Sequence, residues 1–137
     1  MLFDEQNQFS KEQAITADAA STNVVKMGNK DFLPEVAFGE AIPIRIQVTE
    51  DFATLTSLEI KVQTDDNSSF SSATDIATTG TIPVAKLKAG FVAPIIYVPK
   101  GNEGFMSLYY DVTGSSATAG KITAGIVAAH DNSYQDA

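Results

Sequence analysis

Apolar and polar residues alternate along several stretches of the chain with a period of two. The clearest stretch is IPIRIQVT (42–49), in which isoleucine or valine occupies every second position. Residues 55–63 repeat the pattern with Leu58, Ile60 and Val62. Because successive side chains of a β-strand point to opposite faces, each stretch predicts a strand with one buried face.

Further strand-like stretches follow, separated by polar clusters. The stretches are TIPVAKL (81–87), FVAPIIYV (91–98), GFMSLYYDV (104–112) and GKITAGIVAA (120–129), with EQAITA (12–17) and NVVKM (23–27) as shorter candidates. The clusters are TDDNSS (64–69), ATTG (77–80), PKGNEG (99–104) and TGSSATAG (113–120), and their residue types predict turns. The continuous apolar run at 91–98 indicates a strand covered on both faces. Residues 11–20 have a helical alternative by propensity, but Ile15 and Thr16 favour a strand.

This series of short strands predicts the fold class. Short strands at nearly regular spacing are typical of antiparallel sandwiches, jelly rolls and barrels. The length of 137 residues corresponds to one domain of about 100–150 residues. We therefore predict an all-β, single-domain antiparallel β-sandwich, with a jelly roll as the favoured topology. Residues 1–12 are predicted to form an extended N-terminal arm, and residues 13–137 the sandwich.

Charge and hydropathy exclude two classes of partner. The formal net charge is −8, from 17 acidic and nine basic residues, and a nucleic-acid surface needs Lys and Arg to replace counterions. The longest apolar stretch, residues 91–99, contains two prolines and is about half of the ~20 residues that a membrane helix requires. We expect a soluble protein, made in the cytoplasm, that binds neither nucleic acid nor membrane.

The sequence contains few residues suited to catalysis. It has one histidine and no cysteine. His130, Asp131 and Ser133 are the residue types of a catalytic triad, but neighbours on a terminal tail do not converge around an oxyanion site. Asp4 and Glu5 are consecutive rather than set in a cleft. We therefore predict no enzyme activity and no cofactor.

The segment DDNSSF (65–70) is the best metal-binding candidate. Its first, third and fifth residues match the spacing of an EF-hand loop. That loop also needs Gly at its sixth position and Glu at its twelfth, where this chain has Phe70 and Ile76. We interpret the segment as a polar turn and predict no metal site.

Several strings of residues resemble a family of tailed-bacteriophage capsid cement, or decoration, proteins. They are FDEQNQFS (3–10), QAIT (13–16), STNVV (21–25), QVTEDF (47–52), VQTDDNSSFSSAT (62–74), IPVAKLKAG (82–90) and AGKITAGIV (119–127). The resemblance covers most of the chain but not residues 27–41 or the last eight residues. The strings are distinctive in combination, although none is a catalytic or metal-binding motif.

The resemblance implies a β-sandwich or jelly roll on the outer surface of a phage head. There it would bridge adjacent major capsid proteins and contact copies of itself, with a homodimer favoured over a trimer. The expected location is therefore the exterior of the virion, after synthesis in the host cytoplasm.

Apolar residues in the N-terminal segment and in the loop 28–41 raise the question of what covers them. Burying one phenylalanine is worth roughly 1.5–3 kcal/mol, so these side chains either pack on their own sandwich or anchor a partner. We predict that they contact a partner. The predicted partner-binding residues are Leu2, Phe3, Asp4, Gln6, Phe9, Phe32 and Phe38.

Two other functions remain open from the sequence. A carbohydrate- or receptor-binding β-sandwich would use exposed aromatic residues or a bound ion, and the absence of tryptophan argues mildly against it. An enzyme on a jelly-roll scaffold would use clustered histidines for a metal, which a single histidine does not provide.

Overall fold

The computed structural model describes residues 3–26, 43–99 and 103–127, with side chains from Gln8 onward. Within these ranges the chain forms six β-strands and one short 3₁₀ turn. The strands are β1 (Phe3–Ala14), β2 (Ala19–Ala20), β3 (Val25–Lys26), β4 (Ile44–Asp65), β5 (Thr74–Pro83) and β6 (Phe105–Val127), and the turn is Val84–Lys86.

The strands form one antiparallel sheet in the order β1-β6-β4-β5, and β2 and β3 also pair with β6. The prediction of an all-β antiparallel fold is confirmed, and no helix replaces strand in residues 11–20. A jelly-roll topology is compatible with this order and stays a prediction. The predicted boundary after residue 12 falls inside β1, which runs on to Ala14.

The two longest strands, β4 and β6, each contribute to two layers. The two strands pair with each other in two stretches. The first begins with Ile44 opposite Ile126 and the second with Leu58 opposite Val112, and register shifts separate the two. Ser10 of β1 pairs with Ala124 of β6, beside the first stretch, and Tyr110 of β6 pairs with Ile60 of β4 in the second. Their hydroxyl oxygens are nevertheless 2.7 Å apart in a buried position, so the two stretches face each other across one core.

Alternating side chains of β4 and β6 fill this core, as the period of two predicts. Ile46, Leu58, Ile60, Leu108 and Ile122 are all buried there. Partners in the register, such as Val62 with Leu108, are apolar on both strands. Cross-strand pairs of this kind stabilise a sheet by roughly 0.2–1 kcal/mol each.

A close contact marks the bend between the two stretches. Gly120 has φ +136, and a Cβ atom on it would overlap the ring of Phe52. Phe52 is 2% exposed, and its N–H donates to the carbonyl of Leu87 at 3.0 Å. The glycine therefore lets an aromatic ring lie against the backbone of β6 where the sheet turns.

Two predicted turns are wrong because the strands continue through them. ATTG (77–80) lies inside β5, and TGSSATAG (113–120) lies inside β6. In both, threonine and alanine carry the strand, and the positive φ of Gly80, Gly114 and Gly120 accommodates local irregularity. Turn composition here indicates a bulge or bend within a strand. The predicted turn at 64–69 is confirmed from residue 66.

Two predicted strands are also wrong in part. In TIPVAKL (81–87) the strand ends at Pro83 and the 3₁₀ turn follows. Residues 91–98 form only isolated bridges, Tyr97 with Pro43 and Val92 with Gln47. Proline lacks the N–H that a strand ladder needs, and Pro83 and Pro94 stand at these interruptions.

Candidate interaction surface

The sheet has two different sides, which we name by their outer strands. The β1 side consists of residues 3–26, which follow β6 along its whole length. The β5 side consists of β5 and residues 91–99, which lie along the two stretches of β4.

Hydrogen bonds join the two layers on the β1 side. The backbone N–H of Asn23 donates to the carbonyl of Phe9 at 3.0 Å, and its side-chain amide donates to the carbonyl of Gln8 at 2.7 Å. The Gln13 side chain donates to the carbonyl of Ala20 at 2.9 Å and accepts from the N–H of Thr22 at 3.0 Å. Two backbone carbonyls of β1, those of Gln8 and Phe9, thus accept hydrogen bonds from Asn23 of the same chain.

A buried hydroxyl chain supports the same side. Ser10 donates to Gln13 Oε1 at 2.6 Å, and because serine has one hydroxyl proton, the Tyr110 hydroxyl must donate to Ser10. Burial raises the pKa of Tyr110, and the hydrogen bond with Ser10 offsets part of that rise. Tyr110 therefore stays neutral and acts as a fixed donor within the core.

On the β5 side, β5 is a long outer strand with little charge. Its ten residues, TDIATTGTIP, include four threonines and one charged residue, Asp75. In the described part of the chain it pairs with β4 and with no other strand. Thr78 donates to Glu59 Oε2 at 2.6 Å, and Gln63 donates to the Asp75 carboxylate at 2.8 Å, so the polar side chains hold β5 against β4.

A carboxylate anchors the turn that leads into β5. Asp65 is 1% exposed and accepts from the backbone N–H of Ser72 at 2.9 Å and from that of Asn67 at 3.3 Å. The bond from the Ser72 N–H is the main reason that the pKa of Asp65 lies below its ordinary value. The residues considered as a metal loop therefore form a turn closed by its own carboxylate.

Residues 91–99 give the β5 side its apolar surface. They meet β4 irregularly, with the N–H of Ile44 donating to the carbonyl of Ile96 at 3.0 Å and that of Ala93 to Ile46 at 2.9 Å. Ala93 is buried, whereas Ile96 and Tyr97 are each 45% exposed. The expectation that this run is covered on both faces is wrong, because its irregular backbone turns two large side chains outward.

Three ion pairs lie elsewhere in the described part of the chain. Lys61 contacts Asp111 at 3.3 Å, Lys121 contacts Glu50 at 3.8 Å and Lys88 contacts Asp51 at 3.9 Å. The hydrogen bond with Asp111 raises the pKa of Lys61. Partly exposed pairs of this kind contribute little to stability.

The structure corrects one predicted partner-binding residue. Phe9 is completely buried in the core of its own chain and so cannot anchor a partner. The truncation that tests the N-terminal segment must therefore end before Gln8.

The remaining predicted residues are described in part or not at all. Phe3, Asp4 and Gln6 lie in β1, where only the backbone is described. Phe3 pairs with Val127 and Gln8 with Gly125, so β1 has three more residues than β6 between these pairs and the strand register shifts there. Leu2, Phe32 and Phe38 lie outside the described residues, as does the His130 tail.

Residues 3–26, 43–99 and 103–127 contain no group of three or more side chains suited to a metal ion. Over the same ranges, no helix has the length and apolar character needed to cross a membrane.

Comparison with protein families gives a match to the Bbp16 model over residues 9–126. The chain belongs to the Bbp16 family. The Bbp16 match begins at Phe9, a buried residue of β1, and ends one residue before β6 does. It indicates a phage-type family, and comparison with curated proteins gives no match.

Sequence reasoning missed Ile96 and Tyr97 as surface residues. The signal that was available is the pair of prolines, Pro94 and Pro99, which flank them in an otherwise apolar run. Prolines at this spacing argue against a central strand, and an edge segment leaves one face in water.

Proposed function

We propose that this protein is a structural component of a phage virion. It binds the outer surface of the head, bridges adjacent major capsid proteins and stabilises the shell. The proposal assigns it no catalytic role, cofactor or metal. Its proposed location is the exterior of the capsid, after synthesis in the host cytoplasm.

The resemblance to cement proteins and the Bbp16 membership support this proposal together. Most of the strings that resemble cement proteins lie within residues 9–126, the range of the Bbp16 match. The net charge of −8 is also in keeping with a position away from packaged DNA, whose phosphates repel an acidic surface.

The structural observation that carries the proposal is the exposure of Ile96 and Tyr97. They are the large apolar side chains most exposed in the described residues. Aromatic and aliphatic anchors of this kind supply most of the binding energy of protein interfaces. We assign them to the contact with the major capsid protein, together with the irregular part of β1 that includes Asp4 and Gln6.

Weak individual contacts are sufficient for this function. Copies on a lattice that engage several neighbours at once gain avidity through effective concentration. A protein that binds only the assembled shell stabilises that shell by mass action. Self-association, with a homodimer favoured, would add a second contact for each copy.

The test compares heads that lack this protein with heads to which it is added back. Addition should raise the temperature at which heads release DNA. Ile96→Ser with Tyr97→Ser should abolish that gain, and removal of residues 1–7 should reduce it. Ser115→Ala with Ser116→Ala, exposed positions of β6, is the matched control and should behave as the wild type.

The result would contradict the proposal if wild-type protein neither binds heads nor changes their stability. The exposed Tyr97 also keeps a carbohydrate- or receptor-binding function open. Binding to a glycan array that Tyr97→Ser abolishes, without any binding to heads, would favour that second function.

A further inference from the structure

We infer that Arg45, beside Tyr97, is the part of the capsid contact that recognises a carboxylate of the partner. The occupant is an acidic segment of the major capsid protein, which brings an Asp or Glu carboxylate to the guanidinium and an apolar side chain to the Tyr97 ring. The inference rests on the proposed function and deepens it, because it names the chemistry that this surface recognises.

Arg45 differs from the other cations of the chain. The nine basic residues are eight lysines and this one arginine. All three ion pairs of the described residues use a lysine, and Arg45 forms an ion pair with no described carboxylate. An arginine is better suited than a lysine to a carboxylate at an interface, because its planar fork binds both oxygens at once.

The strand β4 holds the guanidinium on its outer face. Ile44 and Ile46 are buried, so Arg45 between them projects to the opposite face. Its Nε donates to Gln47 Oε1 at 3.1 Å, and the remaining N–H donors, on the two Nη atoms, have no described acceptor. Across the ladder Arg45 lies opposite Gly125, which has no side chain to pair with it. The end of the fork is therefore left for a partner.

Tyr97 lies on the same outer face. It pairs antiparallel with Pro43, and directly opposed residues of such a pair share a face. Pro43 and Arg45 are two residues apart on one strand, so they share that face as well. Arg45 and Tyr97 are then diagonal neighbours about 7–8 Å apart. With Tyr97 45% exposed, the face combines the two residue types, tyrosine and arginine, that are enriched in binding hot spots.

Charge selects a carboxylate of a protein over the phosphates of a nucleic acid. A nucleic-acid surface neutralises several phosphates with Lys and Arg, whereas this face presents one guanidinium on a chain of net charge −8. Exposed charges farther away than about 8 Å are largely screened, so the net charge does not prevent a local pair between Arg45 and one acidic side chain. One carboxylate next to an apolar side chain fits the face.

Titration of this protein onto heads that lack it tests the inference. Arg45→Gln should weaken head binding at least tenfold, because it leaves the partner carboxylate unpaired in the contact. Arg45→Lys keeps the charge but loses the fork, so it should weaken binding by less. Lys86→Gln is the matched control, since it removes one exposed charge in the 3₁₀ turn, and it should bind as the wild type. Melting temperatures of the free variants control for folding.

Blocking the carboxylates of the heads tests the chemistry of the partner. Coupling of ethanolamine with a carbodiimide converts exposed carboxylates into neutral amides. The treatment should weaken binding of the wild type and leave the residual binding of Arg45→Gln unchanged, because both changes remove the same contact. Equal weakening of the wild type and Arg45→Gln overturns the inference, and so does binding of the wild type that the treatment does not affect.

The outcomes separate this inference from the proposed function. Heads that bind the wild type and Arg45→Gln equally well overturn the inference and leave the cement function standing. A wild type that does not bind heads contradicts both. If Arg45→Gln leaves head binding intact but lowers the melting temperature of the free protein, the guanidinium pairs with a carboxylate of its own chain, and the inference is wrong.

Discussion

The outer strands of the β1 side and the β5 side are held to the rest of the protein in different ways. Both present an outer strand whose backbone needs hydrogen-bond partners. On the β1 side, Asn23 donates to two backbone carbonyls of that strand, and the Gln13 side chain bonds to residues 20 and 22. Phe9 anchors the strand in the core. On the β5 side, polar side chains hold β5 to β4, while Ile96 and Tyr97 remain partly exposed.

The difference separates aromatic residues that are buried in the fold from those that keep part of their surface exposed. An aromatic residue in the N-terminal segment and an aromatic residue in an apolar run look equivalent in the sequence. Their environments are opposite, with Phe9 at 0% and Tyr97 at 45% exposure. Substitutions of buried residues on the β1 side should therefore lower the free energy of unfolding. Substitutions of exposed residues on the β5 side should instead weaken the proposed binding to phage heads.

The largest expected effect separates these two aromatic residues directly. Phe9→Ala should reduce the free energy of unfolding by about 3–5 kcal/mol, because it removes a buried ring and leaves a cavity. Tyr97→Ala should change it by only about 0.5 kcal/mol. Chemical denaturation of both variants measures the difference, and similar losses would contradict the comparison.

The bend that brings the layers together provides the second prediction. Gly120→Ala should cost about 1–2 kcal/mol for its positive φ and about 1–3 kcal/mol more for the overlap with Phe52. Gly90→Ala is the matched control, because Gly90 has φ +96 but open space around it. Equal melting temperatures for the two variants would show that Phe52 does not depend on Gly120.

The buried hydroxyls of the β1 side allow a double-mutant cycle. Tyr110→Phe should cost about 1–2 kcal/mol, because Ser10 loses the donor that it accepts from in the core. Ser10→Ala leaves the Tyr110 hydroxyl unpaired and should cost a similar amount. The double variant should cost less than the sum of the two, and strict additivity would argue against the hydrogen bond.

The smallest expected effect concerns pH and the turn before β5. The pKa of Asp65 is lowered in the folded state, so the unfolded chain binds its proton more readily. The contribution to stability is then complete above the unfolded pKa of about 3.9 and is lost as pH falls through the lower folded value.

Melting temperatures measured between neutral and acidic pH test this dependence. The wild type should lose stability in the acidic range, and Asp65→Asn should lose less of it there. Glu103→Gln, at an exposed position outside this turn, is the control. Identical acid profiles for the wild type and Asp65→Asn would show that Asp65 does not hold the turn.

The sequence by itself determined the fold class and most of the core. Alternation in residues 42–49 and 55–63 identified buried residues such as Ile46 and Ile60 correctly, because the strand period is a local property of the chain. It also identified the turn at Asp65, since an acidic side chain next to small polar residues closes such a turn locally.

Only the tertiary structure decided which apolar residues are covered and which strands are outer strands. Phe9 is buried because the chain bends after β1 and brings residues 19–26 beside it, a contact between segments that no local pattern encodes. Ile96 and Tyr97 are exposed because residues 91–99 lie on one edge of β4 rather than between two strands. Exposure depends on what packs against a segment, whereas periodicity reports only the segment itself.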